Sequence, residues 1–425
     1  SGTAFLHSVM MQEKRGMMKV WNVWLVFTTF MLVILGTMLT RGGAVQSVHA
    51  FAQSSIGPWF YWFLGIVFVV CLAAYIKNRD HLKSENRLES LVSRESSFLF
   101  NNLVLLAACF AVLCGTLFPL LSEAVRGYKI TVGAPFFNKV MVPIGLFLIF
   151  LTALGPLLAW RKTSLGSITR NFKIPAALAF GLGIILIFVG VKPWTDLPYL
   201  YAWLGFVLSA LVVAAIASEF VRGGRVLMSK LNTNLASAMV HLTRRNTRRY
   251  GGYIVHLGVM LVMIGLCGAA FNQEKEQEMG LGDKLQIGHY TLVGQEYTQD
   301  DNANYQSEAA ILDVYKDGKP LVRLTPEHRQ FKASNQGTTI VANHSTLVED
   351  LYVIYEGKNP DTGHPIIKAF VNPLVAWIWI GVLVVVLGTG VALVPNAAVV
   401  RAPVSMAAAV GAMEKTGMRP AGVGK

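Results

Sequence analysis

Runs of apolar residues, each close to the length of a membrane span, recur along this chain of 425 residues. A helix needs about 20 mostly apolar residues to cross the hydrocarbon core of a bilayer, because it rises only about 1.5 Å per residue. We therefore predict a polytopic α-helical membrane protein with about eight full transmembrane helices. The predicted spans are residues 21–40, 59–76, 98–121, 140–160, 175–191, 198–220, 251–271 and 373–394.

The first residues, Ser1 to Met10, resemble the end of a helix whose beginning lies outside the chain. We count them as one partial N-terminal helix in addition to the eight full spans. There is no charged segment before them, so they do not form a signal peptide. On this basis we expect a fragment, a split gene product or a processed chain.

Lysine and arginine are concentrated in every second loop, which fixes the orientation of the predicted spans. Loops rich in these residues face the cytoplasm, and all the spans alternate under this assignment without a conflict. The formal charge of +13 is explained by this asymmetry, and we predict no nucleic-acid partner. The segment 225–243 has apolar residues at helical spacing before a basic cluster, which predicts a helix along the cytoplasmic membrane surface.

Residues 272–372 are more polar than the rest of the chain and show the alternation of β-strands. Strands are predicted near 290–293, 310–315, 338–342 and 350–356, and Asp317-Gly318 is typical of a tight hairpin. The spans on either side place this small β domain outside the cytoplasm. The predicted organisation is a transmembrane domain at 1–271, a β-rich domain at 272–372, a final transmembrane helix at 373–394 and a cytoplasmic tail at 395–425.

Two histidines are predicted to lie at the same depth in the membrane. His7 precedes Lys14 by seven residues, and His256 follows Arg249 by seven. At about 1.5 Å per residue, each imidazole lies roughly 10 Å inside the cytoplasmic boundary. A shared depth is what two axial ligands of one haem require, and ionisable side chains within membranes are usually functional. The alternative for His256 is a hydrogen bond to a neighbouring helix.

A third histidine, His49, lies with Arg41 in the outer loop that follows the first full span. Arg41 is a candidate partner for a haem propionate, because guanidinium groups bind carboxylates in a bidentate manner. The alternatives are an ordinary loop histidine and an interfacial anchor. We predict that His7, His256 and His49 are the metal-binding residues, and that these three histidines and Arg41 bind the cofactor.

Several motifs in this order closely resemble the cytochrome c maturation haem lyase family CcmF, and the likeness extends over most of the chain. The matching stretches are Thr3-Ala4-Phe5-Leu6-His7-Ser8, Glu13-Lys14-Arg15-Gly16, Gly36-Thr37-Met38-Leu39-Thr40-Arg41, Ser47-Val48-His49-Ala50-Phe51-Ala52, Gly115-Thr116-Leu117-Phe118-Pro119-Leu120, Gly133-Ala134-Pro135-Phe136-Phe137-Asn138 and His256-Leu257-Gly258.

The resemblance implies a multi-pass protein of the bacterial cytoplasmic (inner) membrane, with the β domain in the periplasm. It implies a haem lyase that takes haem from a periplasmic haem chaperone and attaches it through thioether bonds to the Cys-x-x-Cys-His motif of apocytochrome c. His7 and His256 match the family's ligands of a permanent haem b. His49 matches the second of two outer histidines that ligate the transferred haem, and we assign it the catalytic role. Other implied partners are a thiol-reductant subunit and quinol as electron donor.

The chain departs from the family pattern in one large respect. The tryptophan-rich haem platform and the first outer histidine of the family would both precede His7, and neither occurs in this sequence. A separate N-terminal half is therefore an expected partner. A smaller departure is Gly43, where family members often have serine. Two other functions stay open: a membrane cytochrome b that passes electrons from quinol to a periplasmic acceptor, and a cofactor-free transporter.

Overall fold

The structure, a computed structural model, describes residues 1–41 and 57–396. It contains apolar helices and one β-rich segment, which lies between the last two long helices. The helices are α1 (Gly2–Arg15), α2 (Lys19–Arg41), α3 (Gly57–Asn78), α4 (Arg94–Arg126), α5 (Ala134–Leu157), α6 (Leu165–Val189), α7 (Leu197–Leu231), α8 (Leu235–Arg245), α9 (Thr247–Cys267) and α10 (Val375–Leu393). A 3₁₀ turn, Gly268–Phe271, follows α9.

Eight helices in the described part of the chain are long and apolar enough to cross a membrane. They correspond one by one to the predicted spans, and α1 is the predicted short helix at the N-terminus. The predicted fold class, a polytopic helical membrane protein with a small β domain, is confirmed. The predicted tail at 395–425 lies outside the described residues from position 397 onward.

The helix predicted along the membrane surface at 225–243 is wrong as a single element. Residues up to Leu231 continue α7, and a new helix begins at Leu235. Asn232 adopts a positive φ of 50°, which ends a helix. Asn234 then caps α8, because its side chain accepts a hydrogen bond from the backbone N–H of Ser237 at 2.8 Å. The sequence predicted one helix because its apolar residues keep a helical spacing on both sides of the break.

The strands form a sandwich of two antiparallel sheets. One sheet has the order β1-β10-β9-β8, and the other has the order β2-β3-β4-β6-β7 with β5 paired to β4. The strands are β1 (Gln273–Glu278), β2 (Lys284–Ile287), β3 (Tyr290–Asp301), β4 (Tyr305–Lys316), β5 (Lys319–Leu324), β6 (Glu327–Phe331), β7 (Gln336–Ile340), β8 (Ala342–Ser345), β9 (Glu349–Lys358) and β10 (Pro365–Pro373).

The turn at Asp317-Gly318 joins β4 to β5 as the sequence predicts. Both residues have positive φ, 50° and 78°, the conformation of a type I′ hairpin turn. The strand predicted at 338–342 differs from the structure, because the chain leaves β7 at Ile340 and begins β8 at Ala342. These two strands belong to different sheets, so the short break carries the chain across the sandwich.

Contacts divide the chain into two units. The first comprises Ser1–Glu219 and His256–Leu383, and it holds α1 to α6 and the sandwich. The second comprises Phe220–Val255 and Val384–Lys425, of which residues up to 396 are described. Within the second unit, Thr247 donates hydrogen bonds from its backbone N–H to Asn396 Oδ1 and from its hydroxyl to the Val394 carbonyl.

Glu349 gives the sandwich a predicted dependence on pH. Burial raises the pKa of this carboxyl, but hydrogen bonds from Lys316 Nζ at 2.8 Å and from the Tyr290 hydroxyl at 2.9 Å outweigh burial and lower the pKa below its usual value. A group with a depressed pKa stabilises the folded state above its unfolded pKa of about 4.3, and this contribution is lost as pH falls through the folded pKa. We expect Glu349→Gln to destabilise the sandwich by about 1–2 kcal/mol at pH 7, and the effect to shrink below pH ~4.

The measurement is hydrogen exchange of the β9 amides in the full chain, corrected for the intrinsic effect of pH on exchange. Glu356→Gln is the control on the same strand, because its carboxylate is 37% exposed and lies 3.8 Å from Lys368. If Glu349→Gln lowers the stability of the sandwich by the same amount at pH 7 and pH 3, the ionic contribution is contradicted.

Candidate functional site

The structure brings His7 of α1 and His256 of α9 together within the first unit. Their ring centroids are 6.2 Å apart, and their planes differ by 11°. Both side chains are half-buried. The sequence predicted that the two rings lie at one depth, and the structure adds that they are lateral neighbours with parallel planes.

The separation of the two rings suits one metal ion held between them. Two imidazole nitrogens bonded to a shared metal at about 2 Å put the ring centroids roughly 6 Å apart, because each centroid lies about 1 Å behind its nitrogen. A separation of 6.2 Å also lies in the range of about 4.5–7 Å found for offset-stacked aromatic rings. What favours a ligand site over an ordinary stacked pair is the hydrogen bonding of the two rings.

A hydrogen bond to the backbone fixes the orientation of the His7 ring. Its Nδ1 lies 2.8 Å from the carbonyl oxygen of Thr3, one helical turn earlier. A carbonyl only accepts, so this nitrogen carries a proton, and in the neutral tautomer with this hydrogen bond Nε2 is the nitrogen with the free lone pair. On the other side, Nδ1 of His256 is buried without a hydrogen-bond partner among the described residues. A buried polar atom of this kind is expected where a bound group completes the site.

Aromatic rings from α4 and from the segment after α5 form one wall beside His7. The Phe98 ring centroid lies 6.1 Å from that of His7, and the Trp160 centroid lies 6.3 Å from that of Phe98. Arg94 packs over Trp160 and donates hydrogen bonds to the carbonyls of Gly155 and Pro156. These contacts tie α4 to the end of α5, so Phe98 is held in a fixed position against the imidazole.

An ionic cluster at the end of α1 fixes the helix that carries His7. Arg15, the last residue of α1, lies 3.2 Å from the carboxylate of Glu95 and 2.8 Å from that of Glu89. Glu95 also accepts the backbone N–H of Arg161 at 3.0 and 2.8 Å through its two oxygens. The Glu95 side chain is 3% exposed, whereas Glu89 is 51% exposed. The cluster therefore joins α1, α4 and the segment after α5 through one buried and one exposed carboxylate.

The sequence reasoning missed these supporting residues. It also missed Asn102, whose side chain is completely buried on α4 and whose oxygen and nitrogen have no hydrogen-bond partner in the part of the chain that the structure describes. One signal was present in the sequence, since amide side chains inside an apolar span are costly and usually serve a function. Asn101 and Asn102 form such a pair within the predicted span 98–121.

The described structure does not bring Arg41 to the histidine pair. Arg41 ends α2 as an exposed side chain. Lys19, at the other end of the same helix, pairs with Glu85, and the 23 residues of α2 span about 35 Å. His49 lies outside the described residues. Over residues 1–41 and 57–396, no group of three or more His, Cys, Asp or Glu side chains could hold a metal ion.

Comparison with known proteins identifies relatives of this chain. Residues 270–373 match the family described as CcmF C-terminal beta-sandwich. The cytochrome c-type biogenesis protein CycK of Bradyrhizobium diazoefficiens is 31% identical over 390 residues, which cover 91% of this chain and 57% of that protein. The protein CcmF of Pseudomonas aeruginosa is 32% identical over 398 residues, 92% of this chain and 57% of that protein.

A solved structure supports the same fold. The protein titled Cytochrome c Heme Lyase CcmF superimposes with a TM-score of 0.70 at 24% sequence identity. The match covers 92% of this chain and 58% of that one. The chain thus spans less than two thirds of the length of the relatives that it matches.

Proposed function

We propose that this chain is a haem lyase component of cytochrome c biogenesis and that it corresponds to the C-terminal portion of a CcmF-type protein. It is similar to such proteins over nine tenths of its length, and residues 270–373 match the CcmF C-terminal beta-sandwich. It holds a haem b between His7 and His256 and receives a second haem at its outer face for thioether attachment to apocytochrome c. The observation that carries the proposal is the pair of parallel imidazoles 6.2 Å apart.

The residues of this chain hold and orient the cofactor. His7, whose Nδ1 is engaged by the Thr3 carbonyl, would hold the haem through Nε2, and His256 would hold it through a ring nitrogen. A bis-histidine site has no open coordination position, so its role is electron transfer and not substrate binding. A haem b held there would supply one-electron chemistry, which suits keeping the iron of the transferred haem ferrous.

The outer face would bind the transferred haem. His49 ligates its iron and Arg41 pairs with a propionate, since guanidinium binds carboxylate through two parallel hydrogen bonds. Support for Arg41 is its place at the end of α2 opposite Lys19, away from the cytoplasmic ion pairs. Support for His49 comes from the motif Ser47-Val48-His49-Ala50-Phe51-Ala52 alone.

The proposed location is the bacterial inner membrane with the sandwich in the periplasm. The sandwich follows α9 and precedes α10, so it lies on the side opposite the loops rich in lysine and arginine. There it can meet the haem chaperone, apocytochrome c and a thiol-reductant subunit. Quinol is the proposed electron donor, and a separate N-terminal half would supply the tryptophan-rich platform and first outer histidine.

The test of the proposed lyase site is trapping of chaperone-delivered haem by the His49→Ala variant. We expect trapped haem to fall by about tenfold or more, because loss of a ligand weakens metal binding at least as much as loss of a supporting contact does, while haem b is unchanged. His328→Ala, in strand β6, is the control. Equal trapping by His49→Ala and the wild-type chain would contradict the assignment.

A membrane cytochrome b is the second candidate, because it would use the same pair of imidazoles. Deletion of the gene separates the two functions: a lyase component is needed for every cytochrome c that it matures, whereas an electron carrier is not. We expect covalently bound haem to disappear from the c-type cytochromes of the deletion strain. Retention of those cytochromes would favour the electron carrier, and a colourless purified chain would favour a transporter.

A further inference from the structure

The hairpin tip between β8 and β9 has an unusual composition. The two turn residues are Leu347 and Val348, which are 62% and 66% exposed. Hairpin loops of two residues are normally built from Asn, Asp and Gly, which suit the turn backbone and remain solvated. Here Thr346 closes the turn: its hydroxyl donates to the Glu349 carbonyl at 2.8 Å and accepts the backbone N–H of Glu349 at 3.1 Å. The apolar side chains at the tip are therefore not needed to form the turn.

The tip is fixed to the beginning of α10. The backbone N–H of Leu374 donates to the Val348 carbonyl at 2.8 Å, and the indole Nε1–H of Trp377 donates to the Leu347 carbonyl at 2.9 Å. Both bonds use backbone oxygens of the tip. They hold its position beside an apolar membrane-spanning helix and leave its two side chains uncovered.

The same end of the sandwich carries both of its connections to the membrane helices. Strand β1 begins at Gln273, directly after the span that ends at Phe271, and β10 ends at Pro373 just before α10. Pro373 is paired with Glu349, the first residue of β9 after the tip. The entry strand, the exit strand and the hairpin tip therefore all lie at the end of the sandwich that faces the bilayer.

We propose that Leu347 and Val348 insert into the interfacial region of the lipid bilayer and anchor the sandwich to the membrane at a third point. Indole side chains concentrate at the boundary between lipid and water. Trp377 and Trp379 in the first turns of α10 mark that boundary, and Trp379 is 68% exposed. An apolar tip bonded to Trp377 lies at the depth where lipid is the solvent. The inference does not depend on the haem assignment.

The tip differs from other exposed apolar residues of the sandwich. Leu281 is 70% exposed in the turn after β1, at the end away from α10. Single exposed leucines are common on protein surfaces and need no partner. At the tip, two adjacent apolar residues combine exposure with continuity to a membrane-spanning helix. That continuity favours lipid over a protein segment as the occupant.

The experiment places an environment-sensitive fluorophore at the tip of the full chain in lipid nanodiscs. The native thiols Cys71, Cys109, Cys114 and Cys267 are replaced by serine, and Leu347→Cys is labelled. Leu281→Cys is the matched control. We expect blue-shifted emission at position 347 and quenching by lipids with spin-labelled acyl chains that is roughly twofold or more above the control. Blue-shifted emission without lipid quenching indicates a protein occupant and overturns the proposal, as does emission equal to the control.

A second measurement needs no cysteine substitution. The double variant Leu347→Ser/Val348→Ser keeps Thr346 and both backbone hydrogen bonds to α10. We expect the amides of β8 and the start of β9 to exchange several-fold faster in nanodiscs, because the third attachment is lost. Leu281→Ser should leave exchange unchanged. Unchanged exchange in the double variant would also overturn the membrane anchor.

Discussion

Purified His256→Ala is expected to lose the absorption bands of reduced b-type haem, and His7→Ala to lose them as well. The two imidazoles lie 6.2 Å apart with planes 11° from parallel, so in the proposed site each would supply one ligand and neither could replace the other. Supporting contacts alone change metal affinity by about 10–100-fold, so we expect loss of a ligand itself to lower haem content by at least about tenfold. The measurement is the haem-to-protein ratio from reduced-minus-oxidised spectra.

The matched control is His241→Ala, which removes a histidine from α8 and should leave the bands unchanged. Imidazole added during purification should restore part of the haem to His256→Ala, because a small ligand can enter the space that the side chain leaves. A full haem content in either variant, with unaltered band positions, would contradict the shared site. Rescue by imidazole also distinguishes two reasons for a loss of haem. A folded variant that lacks only the ligand should regain haem, whereas an unfolded chain should not.

The sequence predicted the membrane helices well because their signal is local. Length and uninterrupted apolarity decide whether a helix spans the bilayer, and all eight predicted spans appear as helices in the structure. Depth is also a local property, since it follows from the count of residues between an imidazole and the nearest basic boundary. The common level of His7 and His256 could therefore be predicted from two short segments.

Lateral neighbours could not be predicted in the same way. Whether His7 of α1 lies beside His256 of α9 depends on the arrangement of segments that are about 250 residues apart in the sequence. A single sequence does not show which distant segments become neighbours. From the sequence, Phe98 is indistinguishable from the other apolar residues of its span. Only the structure shows that it lies beside His7. Glu95 reads as an acidic residue in the first turn of a helix, where it suits the helix dipole. Its contact with Arg15 appears only in the fold.

Glu95→Ala is expected to destabilise the helical part of the chain by about 1.5–3 kcal/mol, because the buried side of the Arg15 guanidinium loses its carboxylate and only the exposed contact with Glu89 remains. The side chain of Arg15 is only 11% exposed, so its guanidinium cannot regain full hydration. The Arg161 N–H also loses its acceptor. Because Arg15 ends the helix that carries His7, the variant should bind less haem as well. Thermal unfolding in detergent and the haem-to-protein ratio measure the two effects.

Glu89→Ala is the control, because Glu89 contacts the same guanidinium at 2.8 Å from a side chain that is 51% exposed. Exposed ion pairs contribute about 0–1 kcal/mol, since water and salt screen them. Arg15 is common to both variants, so the comparison varies chiefly the burial of the lost carboxylate. Glu95 also lies at 3.2 Å, farther from the guanidinium than Glu89, so distance alone would rank the two in the opposite order. Equal losses in the two variants would mean that burial does not set the strength of this cluster.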